Sequence, residues 1–306
     1  MPLVTSQEML RAALEGRYAV GAFNANNMEQ VQGIVDAAVE ERSPVILQVS
    51  QGAIRYAGLD FAAAMVKSAA AEADVPVVLH LDHGTDFDQN VRCLRAGFTS
   101  LMFDGSKKPF EENIATTARV VHIAHVCGIP VEAELGCVLQ STDGVTEAEV
   151  CDAMTQPGEA KEFVERTGCD SLAVAIGSVH AMREAEAELN IELLKEIRQI
   201  IDIPLVLHGS SGVKESSEVE AIQHGIAKIN VATMLNQAFT VALHKAIAAD
   251  PENVDPRKFL LHSREAVKEV VRHKMRLFGS SGKITGSGYV SPTKVERSVK
   301  IGGLEA

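Results

Sequence analysis

The sequence predicts an α/β fold, a (β/α)8 TIM barrel, from the way its apolar residues are distributed. Eight short and nearly continuous apolar runs, rich in Val, Ile, Leu or Ala, are typical of strands buried on both faces. Helical patterns separate these runs, so the strands are expected to be parallel, with right-handed crossovers. Eight such units in one domain favour a closed barrel over a doubly wound open sheet, which is the alternative.

Strands and helices alternate along the chain. The predicted strands are Tyr18–Phe23, Val45–Val49, Val77–Leu81, Ser100–Phe103, Val131–Leu135, Leu172–Ile176, Leu205–Leu207 and Ala227–Val231. The predicted helices are Met28–Glu41, Phe61–Ala73, Phe87–Ala96, Pro109–Cys127, Glu159–Thr167, Ile191–Ile201, Ser216–His224 and Met234–Ala249. Proline stands just before several strands and glycine just after several helices, which supports these boundaries because glycine is common where helices end.

The barrel is predicted to occupy residues 1–282, followed by a C-terminal extension at residues 283–306. The tail from Gly279 onward is rich in Gly, Ser and Lys, which predicts that it packs poorly. Within the barrel, the connection from Gly136 to Gly158 is long and polar. Connections of this length usually contribute to function or are mobile.

Composition excludes several classes of function. The formal net charge is −12 and no long basic run occurs, which argues against nonspecific nucleic-acid binding. No stretch approaches the roughly 18 apolar residues of a membrane span, and the N-terminus does not resemble a signal peptide. The five cysteines are widely spaced and match no CxxC pattern, which is typical of reduced thiols. A cytoplasmic protein without nucleic-acid or membrane partners is therefore expected.

Side chains that can bind metals or move protons follow almost every predicted strand. They are Asn24, Ser50, Asp82 with His83, Asp104, Glu134, His180, His208 and Asn230. In a (β/α)8 barrel, catalytic residues lie at the C-terminal ends of the strands and in the loops that follow. Loop starts commonly contain Ser, Asn and Gly, but not three histidines and several acids. The sequence therefore predicts an active site at this mouth of the barrel.

Three of these residues suggest a metal site. His83, His180 and His208 are far apart in the sequence, and only the barrel would bring them together. Three neutral imidazoles with an open position form a catalytic Zn²⁺ site. Each histidine taken alone is as readily explained as a strand cap or a core residue. The three together, with Asp82 and Glu134 nearby, favour the metal site.

Two further features have both a functional and a structural explanation. Asp82, next to a candidate ligand, could be a general acid/base or a carboxylate that orients an imidazole. The segment from Gly209 to Gly212 follows the seventh strand, and the segment from Asn230 to Thr233 follows the eighth. Loops at these positions often bind phosphate in this fold, although a Gly-Ser-Ser-Gly segment alone could be only a turn.

At this point the motifs match a known family. The matching segments are His80-Leu81-Asp82-His83-Gly84, Glu132-Ala133-Glu134-Leu135-Gly136, Ser171–Gly177, Leu207-His208-Gly209-Ser210-Ser211-Gly212 and Lys228-Ile229-Asn230-Val231-Ala232-Thr233. The chain resembles the class II, zinc-dependent fructose- and tagatose-bisphosphate aldolases from about Leu3 to about Gly282. The Asn-Val-Ala-Thr segment is closer to the tagatose-type branch.

The resemblance implies a ligand set and a reaction. His83, His180 and His208 would bind Zn²⁺, which Co²⁺, Fe²⁺ or Mn²⁺ could replace, and Glu134 would be an alternative or transient ligand. Asp82 would deprotonate the C4 hydroxyl in cleavage and protonate the C4 hydroxylate in condensation. The products would be glycerone phosphate and an aldehyde, glyceraldehyde 3-phosphate by default.

The resemblance also implies how the substrate is held. Gly209, Ser211, Asn230 and Thr233 would bind the phosphate, and Asn230 would also contact the enediolate. Asn24 and Ser50 would line the pocket. Backbone carbonyls near Gly177 and Gly209 would bind Na⁺ or K⁺, and Gly177 counts among the predicted substrate-site residues. Members of the family form homodimers or homotetramers.

Three positions depart from the family pattern. In the long loop the acid that moves the enolisation proton is replaced by Thr142, with Asp143 beside it. Glu184 stands where members have a phosphate-binding Lys, with Arg183 one position away, and Asn236 stands in place of an Arg for the distal phosphate. These departures lead to the hypothesis that the second substrate lacks a distal phosphate.

Two other classes of function remain open at this level. A metal-dependent isomerase or epimerase would use the same enediolate, but Asp143 is the one spare acid/base group available to it. A sugar-phosphate sensor would not need Asp82 or the three histidines, and the chain has all four. The motifs therefore favour the aldolase.

Overall fold

The structure is a computed structural model that describes residues 3–140, 144, 146–182 and 187–284 of the chain. Its eight strands are β1 Val20–Asn24, β2 Val45–Ser50, β3 Val77–Asp82, β4 Leu101–Phe103, β5 Val131–Leu135, β6 Ser171–Val174, β7 Leu205–Leu207 and β8 Ile226–Val231. Each begins and ends within two residues of its predicted bounds. The prediction of eight buried strands is confirmed.

All pairings between these strands are parallel, in the order β3-β2-β1-β8-β7-β6-β5-β4. The first and last strands in this order meet through bridges between His80 and Ser100 and between Gly84 and Phe103. The sheet thus curls into a barrel, which confirms the predicted (β/α)8 fold. In this order β4 lies opposite β8 across the barrel axis.

Twelve helices surround the strands in the described part of the chain. They are α1 Ser6–Glu15, α2 Met28–Glu40, α3 Gln51–Ala57, α4 Leu59–Glu72, α5 Phe87–Arg95, α6 Phe110–Val126, α7 Glu147–Asp152, α8 Pro157–Thr167, α9 Ile191–Ile200, α10 Glu215–Gln223, α11 Thr233–Ala249 and α12 Pro256–Leu277. The eight predicted helices are confirmed. Helices α1, α3, α7 and α12 have no predicted bounds, because they are additions to the repeating strand–helix unit.

Helix α1 packs its apolar face against the barrel interior. Met9 and Leu10 join a buried cluster with Tyr18 and Ile46, beside the start of the strands. None of the described helices combines the length and apolar character needed to cross a membrane.

The end of the described chain packs more closely than the sequence predicts. Ser280 is fully buried, and the backbone N–H groups of Gly282 and Ile284 donate to the carbonyls of Glu41 and Arg42, at 2.7 and 3.0 Å. The expectation that the tail from Gly279 packs poorly is therefore wrong up to Ile284. Helix α12 ends beside the end of α2, so the residues that follow α12 pack there. Residues 285–306, most of the predicted extension, lie outside the described residues, and the domain boundary at residue 282 stays a prediction.

Candidate active site

The C-terminal ends of the strands surround a cavity of about 410 Å³. Nine predicted site residues line it, namely Asn24, Asp82, His83, Glu134, His180, Gly209, Ser211, Asn230 and Thr233. The lining also includes Gln48, Asp104, Ser106, Lys107, Cys137, Val138, Gln140, Ala181, Ser210 and Ala232. The lining residues thus come from all eight strands or the loops that follow them, as the sequence pattern indicates.

The three predicted metal histidines meet in space. The ring centroid of His83 lies 5.2 Å from that of His180 and 4.7 Å from that of His208, and the latter two are 6.0 Å apart. One nitrogen from each ring falls within 4.8 Å of the others, close enough for a single ion to reach all three. A second such group joins His83 with Asp104 and Glu134.

His83 is held in an uncommon backbone conformation at the exit of β3. Its φ of 49° lies in the left-handed region, which non-glycine residues adopt rarely and often at functional sites. The Gln51 side chain donates to the His83 carbonyl at 2.7 Å, and Asp104 lies 2.8 Å from Nδ1 of the ring. A proton on Nδ1 shared with Asp104 leaves the lone pair of the neutral ring on Nε2.

His180 is positioned by the long connection after β5. Its backbone N–H donates to the Leu139 carbonyl at 2.8 Å, and Gln140 and His180 form an isolated parallel bridge. This pairing joins the β5 loop to the β6 loop, which explains why residues from both line the same cavity.

His208 is fully buried beneath the cavity and does not line it. Its Nε2 lies 2.9 Å from Oε1 of Glu132, and its Nδ1 lies 3.3 Å from Oε2 of Glu134. Within the described structure neither His208 Nδ1 nor Glu134 Oε2 has a hydrogen-bond partner. Two buried polar atoms without a partner, facing one another beside two other imidazoles, fit an ion between them.

The electrostatics of the cluster favour a positive charge at the same place. Burial acts to lower the pKa of His83, but the carboxylates of Asp82, Asp104 and Glu134 outweigh it and raise the pKa to about 10. Burial, and then the neighbouring imidazoles, lower the pKa of His180 to about 3. A neutral His180 can donate its lone pair, and a cation bound by the carboxylates can replace the proton on His83.

Asp82 is held by amide groups on both of its oxygens. Asn24 Nδ2 donates to Oδ2 at 2.8 Å, and Asn230 Nδ2 donates to Oδ1 at 3.3 Å. Gln48 in turn donates to Asn24 Oδ1 at 2.6 Å. Burial acts to raise the pKa of Asp82, but the charge of His83 and the hydrogen bond from Asn24 lower it, so the carboxylate is ionised and able to accept a proton.

The loops after β7 and β8 form the side of the cavity predicted to bind phosphate. Gly209 has a φ of 68°, and a Cβ there would approach the Val179 backbone to 3.0 Å, so only glycine fits. A short 3₁₀ turn spans Ser210–Gly212, and α11 begins at Thr233, where the Met234 N–H donates to the Ser211 hydroxyl at 3.4 Å. Backbone and hydroxyl donors thus converge on one side of the cavity.

Two predicted substrate residues lie outside the cavity lining. The Ser50 hydroxyl accepts from the Ala53 N–H at 3.2 Å and caps α3. Gly177, at φ 108°, lies close to the Glu188 carbonyl, which a Cβ would approach to 3.1 Å. Their predicted contacts with substrate or a monovalent cation stay predictions.

The departures from the family pattern fall in two places. Thr142, Asp143, Arg183 and Glu184 lie outside the described residues. Asn236 lies on the first turn of α11, where its side-chain oxygen accepts from Asn26 at 3.1 Å and Gln30 at 3.0 Å. Its amide oxygen therefore joins α11 to the start of α2, and Asn236 is not among the residues that line the cavity.

Several residues that support the site had no predicted role. They are Gln48, His80, Glu132, Lys228 and Lys107, whereas Asp104 is one of the predicted strand-end residues. Strand periodicity points to the first four, since each stands two positions before a strand-end site residue and so faces the same side of its strand. In a closed barrel that side is the interior.

Comparison with known proteins agrees with this geometry. The sequence matches the family described as fructose-bisphosphate aldolase class-II over residues 4–283. It is similar to the fructose-bisphosphate aldolase of Geobacillus stearothermophilus, with 48% identity over 286 residues, covering 92% of this chain and 99% of the relative. The chain belongs to the class II fructose-bisphosphate aldolase family.

Other relatives agree with this family assignment. The fructose-bisphosphate aldolase of Thermus caldophilus is 44% identical over 304 residues, covering 92% of this chain and 99% of the relative. Among solved structures, the YdjI aldolase from Escherichia coli K12 is 40% identical, with a TM-score of 0.81, and covers 92% of this chain and 100% of its own. The prediction of a class II aldolase, an aldehyde-lyase of carbohydrate metabolism, is confirmed, and the isomerase and sensor alternatives are not favoured.

Proposed function

We propose that the chain is a zinc-dependent fructose-bisphosphate aldolase, which cleaves fructose 1,6-bisphosphate reversibly to glycerone phosphate and glyceraldehyde 3-phosphate. The observation that supports it most is the meeting of His83, His180 and the buried His208 beside a cavity that Asp82 lines. Three imidazoles with an open position suit Zn²⁺, and Glu134 offers a carboxylate oxygen as an alternative ligand. Co²⁺ and Fe²⁺ suit the same donors.

The metal and the protein side chains have different roles in the reaction. A divalent metal held here supplies a Lewis acid that polarises the ketone carbonyl and stabilises the negative charge developing on its oxygen. In cleavage Asp82 takes the proton of the C4 hydroxyl, the C3–C4 bond breaks, and its electron pair stays with the glycerone half, whose carbon then takes a proton from water to give glycerone phosphate. In condensation the same carboxyl group returns the proton to the new C4 hydroxylate.

Asn24 and Asn230 prepare Asp82 for this step. Their amide groups donate to its two oxygens, which fixes the carboxylate plane before substrate binds. Asn230 Oδ1 is buried and has no hydrogen-bond partner within the described structure, so it can accept from a substrate hydroxyl. We therefore count Asn230 with Asp82 as a catalytic residue.

The phosphate of the glycerone half suits the β7 and β8 loops. Gly209 allows close approach of the backbone, and Ser211 and Thr233 supply hydroxyls beside the N-terminus of α11. Lys107 lines the cavity from the β4 loop, opposite β8, and is the one lysine or arginine among its described lining residues. A positive charge there suits the second phosphate of a bisphosphate.

The first experiment measures glycerone phosphate release from fructose 1,6-bisphosphate by zinc-loaded protein. We expect turnover that a chelator abolishes and added zinc restores. Protein that binds zinc but releases no glycerone phosphate would overturn the proposed substrate. Equal cleavage of the bisphosphate and of a 6-dephospho ketose would instead support the hypothesis that the distal phosphate is not required.

Two further proposals concern the state of the protein in the cell. We propose a cytoplasmic homo-oligomer, a dimer or a tetramer. All five cysteines are free, and large apolar side chains such as Tyr56 and Phe61 are exposed on the isolated chain, at 80% and 75%. Sedimentation analysis that finds only monomer at micromolar concentration would contradict the oligomer.

A further inference from the structure

A continuous series of polar contacts runs through the barrel interior beneath the cavity. It comprises Ser6, Ser100, His80, Lys228, Glu132 and His208, and none of these is more than 5% exposed. Serine hydroxyls of α1 and of the β4 start contact one another at 2.8 Å, and Ser100 contacts His80 Nδ1 at 2.8 Å. The series therefore connects the N-terminal helix with a candidate metal ligand on the opposite side of the barrel.

Lys228 fixes the hydrogen-bonding direction at the middle of the series. Its ammonium can only donate, and it lies 2.8 Å from Glu132 Oε2 and 3.4 Å from His80 Nε2. Both of those atoms must therefore accept. His80 is left with its hydrogen on Nδ1, which donates to Ser100.

Glu132 determines in turn which ring nitrogen of His208 bears hydrogen. The carboxylate is paired with the Lys228 ammonium, and its other oxygen lies 2.9 Å from His208 Nε2. A carboxylate oxygen can only accept, so the imidazole hydrogen is on Nε2. The lone pair is then on Nδ1, which is the atom beside Glu134 and the other two imidazoles.

Stability alone gives little reason for a charged pair at this position. Removing two charges from water costs several kcal/mol per ion, and well-packed apolar residues in place of a buried pair are often neutral or stabilising. By contrast, a carboxylate that accepts from a ligating histidine sets the tautomer and the orientation of the ring.

We propose that Glu132, held in place by Lys228, is a positioning residue that fixes His208 in the tautomer whose Nδ1 lone pair faces the metal. This inference rests on the proposed metal site. It predicts that metal affinity depends on the acceptor that Glu132 presents and not on the negative charge as such.

The substitution Glu132→Gln tests this prediction because it changes the direction of one hydrogen bond. Lys228 still requires an acceptor, so the amide oxygen turns toward the ammonium and the NH₂ group faces His208. His208 Nε2 must then accept, and its hydrogen moves to Nδ1, where it blocks the ligand atom. We expect zinc affinity to fall about 10- to 100-fold, measured by competition with a chromogenic chelator.

The double substitution Glu132→Gln with Lys228→Met should restore much of that affinity. Without the ammonium, the amide oxygen is free to face His208 and accept from its Nε2 hydrogen. A role in packing alone would not be rescued in this way, because the double variant loses more of the native contacts than the single one. No recovery of affinity in a folded double variant would overturn the proposal.

Glu218→Gln is the matched control. Glu218 forms the same kind of buried pair with Lys274, at 2.8 Å, but contacts no candidate metal ligand in the described structure. We expect it to leave the zinc affinity unchanged. An equal loss of affinity in Glu218→Gln and Glu132→Gln would assign the effect to general destabilisation and overturn the proposal.

The wild-type protein gives a test that does not depend on a variant folding. In metal-free protein labelled with ¹⁵N-histidine, the nitrogen shifts of His208 report which ring atom bears hydrogen. Hydrogen on Nε2 supports the proposal and hydrogen on Nδ1 overturns it. Wild-type protein that binds no zinc would count against the proposed function, whereas zinc binding that Glu132→Gln leaves unchanged would count against this inference only.

Discussion

Two buried glutamate–lysine pairs lie in different layers of this barrel. Inside the barrel, Lys228 contacts Glu132 at 2.8 Å, and between α10 and α12, Lys274 contacts Glu218 at the same distance. All four side chains are at most 2% exposed. The pairs differ in the second carboxylate oxygen, which accepts from His208 in Glu132 but has no partner within the described structure in Glu218.

The ionisation of the two acids follows this difference. Burial acts to raise the pKa of Glu132, but Lys228 and the His208 hydrogen bond hold it below its usual value. For Glu218 the effect of burial exceeds the opposite effect of Lys274 and raises the pKa to about 7. The hydrogen bond from His208 to Glu132 is one cause of this difference, and the negative charge of Glu215 near Glu218 is another.

The largest expected effect is that of Asp82→Ala. It distinguishes a carboxylate that takes part in catalysis from one, such as Glu132, that orients a metal ligand. Asp82→Ala removes the group that takes the C4 proton, so we expect kcat to fall about 10²- to 10⁴-fold, measured as glycerone phosphate release. Zinc content should stay at the wild-type level, because the three histidines remain. Loss of zinc in Asp82→Ala would instead place Asp82 with Glu132 as a residue that supports the metal ligands.

Removing each lysine tests the comparison directly. Lys228→Met leaves Glu132 charged and buried, so we expect it to lower the free energy of unfolding by about 3–5 kcal/mol. Lys274→Met should cost less at pH 6, because Glu218 can be protonated there. The measurement is denaturant unfolding of metal-free proteins at pH 6, and equal losses would contradict the assigned difference.

Glu218 also predicts a pH dependence of stability. Its folded-state pKa of about 7 lies above the ordinary 4.5, so the folded protein binds the proton more tightly than the unfolded chain. This contribution is fully present below about pH 4.5 and is lost as the pH rises through 7. Its size is about 3 kcal/mol at about 1.4 kcal/mol per pKa unit. Unfolding from pH 5 to 8 should reveal the loss in wild-type protein and not in Glu218→Gln.

The smallest expected effect is on KM, and it is tested by comparing substitutions of the neighbouring residues Lys107 and Lys108. Lys107 lines the cavity, whereas Lys108 forms an ion pair with Glu112, at 2.5 Å. Lys107→Met should raise KM for fructose 1,6-bisphosphate by about tenfold, the equivalent of about 1.4 kcal/mol, because one phosphate contact is lost. Lys108→Met is the control and should leave KM unchanged. Equal KM values in both variants would remove Lys107 from substrate binding.

Much of this molecule could be predicted from the sequence because strand burial and strand ends are local properties. Apolar runs fix where β1 to β8 lie, and the residue after each run is at the barrel mouth whatever the helices do. His83, His208 and Asp82 could therefore be found before any coordinates. His180 lies further beyond its strand, and only its backbone contact with Leu139 explains its place.

Other features depend on contacts between distant segments. The sequence placed Glu132 and Lys228 in motifs but gave neither a role, because their pairing joins β5 to β8 through the barrel interior. The packing of Ser280 and Gly282 against the end of α2 likewise depends on where α12 ends. A tail rich in glycine and serine gives no local signal of such packing.

The sequence by itself determined the barrel, the mouth at which its reactive residues lie, and the identity of the candidate ligands. Tertiary structure decided which atoms of those residues face one another. That choice depends on hydrogen-bond partners that are 76 residues apart for His208 and Glu132, and 96 apart for Lys228 and Glu132. Only the closed sheet brings these residues into contact. Which atom donates and which accepts depends on the pair in contact and not on either residue alone.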